Sequence, residues 1–132
     1  MAAHRTAFQT DMAFHSEAPT AQSSLLKPLN LALKFAHELG ALVAFGVWGA
    51  STAGVAGAIA LPLVAAVLWG TLAAPKARRR LPLRARAPFE LTVFALGALA
   101  LWGAESLTLA AVFAIVAAAN AILLTAFDQW EL

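Results

Sequence analysis

The side chains able to do chemistry are few, and most lie within apolar stretches. Glu38 follows Lys34 at i+4, and Glu90 follows Arg86 at i+4. Residues four apart share a helix face, so each acid has a cation within local reach. A carboxylate inside a membrane helix costs on the order of 3 kcal/mol on insertion scales, and such groups mark proton or substrate paths. Two readings therefore stand side by side: structural ion pairing, or a coupling role for Glu38 and Glu90. His37 precedes Glu38 and points about 100° away around a helix. It could ligate haem or relay protons, but no second histidine falls in another apolar stretch. An interfacial, hydrogen-bonded histidine is the expectation. Asn120 is the other polar side chain within an apolar run and is expected to bond across to a neighbouring helix. No Ser-His-Asp pattern, nucleotide loop or metal-ligand spacing occurs, so no enzyme activity, catalytic residue, cofactor or metal is expected. Cysteine is absent, which excludes disulfides and thiol chemistry.

These residues need helices in an apolar solvent to position them. Of 132 residues, 61% are hydrophobic and 12% charged, with a mean hydropathy of +0.77. Soluble domains carry roughly 25% charged residues, so this chain lacks the polar cover a water-facing surface requires. Apolar runs over residues 31–50, 55–74, 84–103 and 107–127 are each near the ~20 residues that span a bilayer. Asn30 reads as the N-cap of the first run, and residues 49–57 supply small turn residues between the first two. Pro62 interrupts the second run, as kinking prolines do in membrane helices. The third is long enough only if Arg84 and Arg86 snorkel outward. Gly103-Ala-Glu-Ser106 makes a tight turn before the fourth. The expected fold is all-α: an integral membrane four-helix bundle of two helical hairpins over residues 27–128, preceded by a disordered cytoplasmic tail over residues 1–26. Met12 is a second candidate initiator within that tail.

Lys76, Arg78, Arg79 and Arg80 lie between the second and third runs and Arg84 and Arg86 at the start of the third, and the other two turns carry no cation. Cytoplasmic loops hold the excess of Lys and Arg, which places this loop and both termini inside, at a bacterial inner membrane. The same cluster suits anionic headgroups; concentrated in one loop, it gives no reason to expect nucleic acid. Trp48 and Trp102 fall at the expected outer ends, Trp69 and Trp130 at the inner ends, where tryptophan anchors to the interface. A shift of 52 residues (86 − 34) lays Lys34-Phe-Ala-His-Glu-Leu39 on Arg86-Ala-Pro-Phe-Glu-Leu91, the signature a parallel repeat would leave. Small residues four apart (Gly46/Ala50, Ala66/Gly70, Ala110/Ala114/Ala118) permit close helix approach.

Lys27-Pro-Leu-Asn-Leu-Ala-Leu-Lys-Phe35, His37-Glu-Leu39 and Gly46-Val-Trp-Gly49 resemble the opening of the YrdB-like small bacterial membrane proteins. So do Leu61-Pro-Leu-Val-Ala-Ala-Val-Leu-Trp-Gly70, Ala74-Pro-Lys-Ala-Arg-Arg-Arg-Leu-Pro82 and Glu90-Leu91. The resemblance covers roughly residues 27–127 and implies four membrane helices and a domain of unknown function, with no activity attached. The long polar N-terminus departs from the family's short one. The leading expectation is a non-enzymatic scaffold or accessory subunit whose partners are the bilayer and a membrane protein or second copy of itself. The alternatives are a small proton-coupled transporter using Glu38 and Glu90, and a lipid- or quinone-binding membrane protein.

Overall fold

A computed structural model describes residues 21–131; residues 1–20 and Leu132, and with them most of the expected tail, lie outside the described residues. The described residues form three α-helices and no strand: α1 (Ala21–Leu72), α2 (Leu83–Gly103) and α3 (Leu107–Ala126). All three are long and apolar enough to cross a membrane.

This corrects the four-helix bundle of two hairpins. The segments assigned to the first two spans, residues 31–50 and 55–74, belong to one helix of 52 residues. The small residues read as a loop are compatible with helix, and only Ala53 and Gly54 leave helical geometry. Gly54 sits at φ 61, ψ −149, a conformation natural only to glycine. The result is a sharp break within α1 instead of a connecting loop. The break also separates two limbs of different character. The N-terminal limb buries Asn30, His37, Ala41 and Ala44, with Lys34 half-buried between them. Past the break, only Gly57 is buried before the helix ends, while Val55, Ile59, Leu63, Val64 and Val67 are all more than half exposed. The C-terminal limb is almost wholly apolar, and only a narrow stripe (Ala58, Leu61, Pro62, Ala65 and Trp69) is partly covered. It lies beside the core and does not complete a four-membered one.

The core is made by the N-terminal limb, α2 and α3. Their inward residues recur at steps of three and four: Asn30, Lys34, His37, Ala41 and Ala44 on α1; Arg86, Glu90, Phe94, Gly97 and Ala100 on α2; Ala110, Phe113, Ala117, Asn120 and Leu124 on α3. That spacing keeps one seam of each helix facing its neighbours. Small residues bring the backbones together: a Cβ on Gly97 would press against Phe113 and come within 3.6 Å of the Ala41 backbone. Polar and apolar residues divide the core lengthwise. Ala44, Ala100, Leu101 and Ala110 cluster towards the break, and the charged and amide side chains gather at the other end.

Helix ends are closed locally. In α2, the Ser106 N–H donates to Leu101 O and Glu105 N–H to Trp102 O; Gln129 and Asp128 make the same pair of bonds to Leu124 and Thr125 at the end of α3. Both are Schellman motifs, with Glu105 (φ 61) and Asp128 (φ 53) in the left-handed position where glycine is usual. Between α1 and α2 the basic loop is ordered by Arg79 N–H to Thr71 O and Leu81 N–H to Leu72 O. Asn30 lies well inside α1, so it is not the N-cap the sequence suggested, and helical geometry continues through Pro28 and Pro62.

The two limbs of α1 approach most closely at Gly49 and Gly57, where a Cβ on either residue would overlap the other's backbone. Replacing Gly49 with leucine is expected to lower stability in detergent by about 1–3 kcal/mol, the usual cost of overpacking. At Gly70, where an added Cβ meets nothing within 4 Å, the same change should leave the melting temperature unmoved. Thermal unfolding of the two variants compares them directly.

Candidate functional site

The polar end of the core begins with Lys34, which the stripe on α1 aims between α1 and α2. Its ammonium lies 3.0 Å from the Glu38 carboxylate, one turn along, and 3.2 Å from Glu90 on the neighbouring helix. Glu90 in turn faces Arg86, its i−4 neighbour, at 3.5 Å. Arg86 also reaches the Glu131 carboxylate at 3.7 Å and donates to the carbonyl oxygens of Trp130 and Leu81. The chain of contacts runs Glu38, Lys34, Glu90, Arg86, Glu131 and alternates in sign throughout. Arg86 and Glu90 are each 2% exposed, and with Leu124 and Asn120 they are the largest fully buried side chains among the described residues. Unpaired buried charge is expensive, and alternation leaves none of the three inner groups, Lys34, Glu90 and Arg86, alone.

Arg86 therefore does not snorkel. It turns inward to serve Glu90 and the C-terminal turn, while Arg84 remains exposed. Lys76, Arg78 and Arg79 are likewise exposed on the loop, and Arg80 bends towards the Glu131 carbonyl at 3.5 Å.

Beside the charges lies an amide ladder. Asn120 donates to the side-chain oxygen of Asn30 (2.8 Å) and to its backbone carbonyl (3.1 Å). Asn30 donates to Gln129 (3.0 Å), and Gln129 donates to Lys27 O (3.1 Å). Asn30, Asn120 and Gln129 are each at most 4% exposed. Together these bonds tie the start of α1, the middle of α3 and the C-terminal turn to one another.

His37 sits one turn deeper. Its ring stacks on Phe113 at 3.8 Å and meets Phe94 edge-on at 4.8 Å; its Nε2 is buried without a hydrogen-bond partner among the described residues. It is neither interfacial nor bonded through that nitrogen, because the same seven-residue seam that carries Lys34 inward carries His37 into the aromatic layer. Among the described residues no group of three or more His, Cys, Asp or Glu could hold a metal ion.

The tryptophans lie at two levels. Trp69 packs against Phe89 and Phe94 (centroids 6.1 and 5.9 Å apart), with the Lys34 ammonium 5.8 Å above its ring. Trp130 donates to Thr125 at this same polar end (3.0 Å). Trp48 lies against Gly103 at the opposite end, where Trp102 is exposed.

The structure thus joins two units that the sequence showed only separately. Lys34/Glu38 and Arg86/Glu90 occupy matching positions under the 52-residue shift, and they meet through Lys34 and Glu90. The shift was the one signal of that meeting; neither the Asn30–Gln129 bond nor the role of Glu131 had any.

Comparison with known proteins gives a family. The family model described as Protein of unknown function (DUF2568) matches residues 32–118. No curated protein and no solved structure matches the chain.

Two substitutions separate buried from surface cations. Arg86→Met removes the α2 cation that faces Glu90 and should cost about 3–5 kcal/mol, the range for breaking a buried pair. Arg84→Met, on the exposed face, should stay within about 0.5 kcal/mol. Asn120→Ala is expected to cost about 0.6–1.7 kcal/mol, as interhelical bonds in membranes do. Denaturation in mixed micelles reads all three.

Proposed function

The chain belongs to the DUF2568 family, and we propose that it acts there as a non-enzymatic accessory subunit or scaffold of the bacterial inner membrane. The observation that supports this reading is the C-terminal limb of α1. It is almost wholly apolar and exposes most of its surface, and it meets the rest of the chain along one narrow stripe, at Gly57, Ala58 and Pro62 against Gly46 and Gly49 and at Trp69 against Phe89 and Phe94. The charged and amide side chains of the core, Lys34, Glu38, Arg86, Glu90, Asn30, Asn120 and Gln129, are meanwhile engaged with one another. Such a chain has a surface to offer and little chemistry.

The orientation follows from charge. Lys27, the basic loop and the C-terminal turn all gather at the polar end, joined by Gln129 to Lys27 and by Arg86 and Arg80 to residues 130–131. Under the positive-inside rule this end faces the cytoplasm.

A second reading, proton-coupled transport, is favoured by one feature: Glu38 and Glu90 share a single ammonium, so protonating one would release Lys34 to the other. In reconstituted vesicles, flux that is equal in wild type and Glu38→Gln would exclude it.

The accessory reading is tested by placing a photo-crosslinking residue at Val64 or Val67 of the full chain in native membranes. A discrete protein adduct is expected there, and lipid adducts alone from Ile122 on the outer face of α3. Lipid adducts alone from both limbs would refute the reading.

A further inference from the structure

Where the C-terminal limb of α1 swings past the polar end of the core, it leaves a cleft of about 520 Å³. One wall is the N-terminal limb, with Leu31, Phe35 and Glu38; the other is Trp69, followed by Ala74 and Pro75, and Lys34 lies at its base. We infer that this cleft is a binding site for a phosphate-free lipophilic cation, held by the Glu38 carboxylate and the ring of Trp69.

The charge distribution selects a cation. Glu90 has two cations, Lys34 and Arg86, whereas Glu38 has Lys34 alone and shares it. Glu38 is thus the carboxylate with least compensation, and it is the one facing the cleft. Its side chain is 20% exposed, against 2% for Glu90. A second cation there lets Lys34 stay with Glu90 while Glu38 takes the ligand. Trp69 already presents its ring to the Lys34 ammonium, and an aromatic face within about 6 Å attracts a cation most strongly where water is scarce. The remaining walls select an apolar body. Leu31, Phe35, Ala74 and Pro75 offer no charge, and Phe35 is 60% exposed at the rim, so the cleft is reached from the apolar exterior.

The same distribution disfavours a phospholipid headgroup. Among the described residues Lys34 is the one cation lining the cleft, and it already lies between two carboxylates, so a phosphate would find no uncompensated cation on these walls. The inference concerns binding alone and stands or falls separately from both transport and scaffolding.

The probe is radiolabelled tetraphenylphosphonium, added to the full chain purified in dodecyl maltoside. Saturable binding is expected, displaced by dodecyltrimethylammonium and not by phosphatidylethanolamine. Glu38→Gln should weaken it at least tenfold and Trp69→Leu severalfold, while Trp102→Leu, at the other end of the molecule, should bind as wild type. Size-exclusion profiles establish that each variant is folded. If Glu38→Gln does not fold, Trp69→Leu carries the test. No saturable binding, undiminished affinity in a folded Glu38→Gln or Trp69→Leu, or displacement by phosphatidylethanolamine would each overturn the inference.

Discussion

A charge in a low-dielectric interior must be matched, and in this chain Lys34 does the matching for two carboxylates on two different helices. Local pairing along each helix would have sufficed to neutralise Lys34 with Glu38 and Arg86 with Glu90. The Lys34–Glu90 contact at 3.2 Å makes the two pairs into one network and so fixes the register of α1 against α2. In the membrane proposed for these helices, where the outside would be as apolar as the inside, hydrophobic burial cannot supply that register. What remains is directional: ion pairs, the Asn120–Asn30–Gln129 bonds, and close backbone approach at Gly49, Gly57 and Gly97. Buried ion pairs are a costly way to gain net stability, and their stronger use is to specify one arrangement over others.

Division of the core follows from the same constraint. Charged and amide groups gather where the helix ends, the basic loop and the C-terminal turn can all contribute partners. Ala41, Ala44, Ala100 and Ala110 fill the opposite half, where nothing polar needs satisfying. His37, between Phe94 and Phe113, marks the boundary between the halves. The C-terminal limb of α1 carries no polar side chain inward and therefore has no directional bond to hold it against α2. It touches the rest of the chain through Trp69, the paired glycines and Ala58 and Pro62 against Gly46, and clefts open on either side of it.

Much of this was legible in sequence, and the failures are instructive. Apolar runs and their lengths gave helices close to α2 and α3, because a lipid-facing helix is defined by composition. The all-α class survived and the count did not. Residues 49–57 look like a loop because they are small, yet small residues serve equally well in a tight helical break, and only Gly54 needs the turn conformation. Arg86 was expected to snorkel outward because the third apolar run is long enough to span only if it does. Its inward turn depends on Glu131 and the Trp130 carbonyl, distant in sequence and brought close only by the fold. The i+4 spacing revealed Lys34/Glu38 and Arg86/Glu90 separately. Their convergence, and the amide ladder from Lys27 to Asn120, are contacts between positions about fifty to a hundred residues apart, and no local pattern encodes them.

The account rests on Lys34 and Glu90 being coupled across the helix interface. A double-mutant cycle on Lys34→Met and Glu90→Gln, with unfolding followed in mixed micelles, measures that coupling directly. A non-additive term of about 1–3 kcal/mol, within the range for contacting charged residues, is the expected result. Additivity within about 0.5 kcal/mol would mean that the two side chains do not interact, and the network would reduce to two independent pairs.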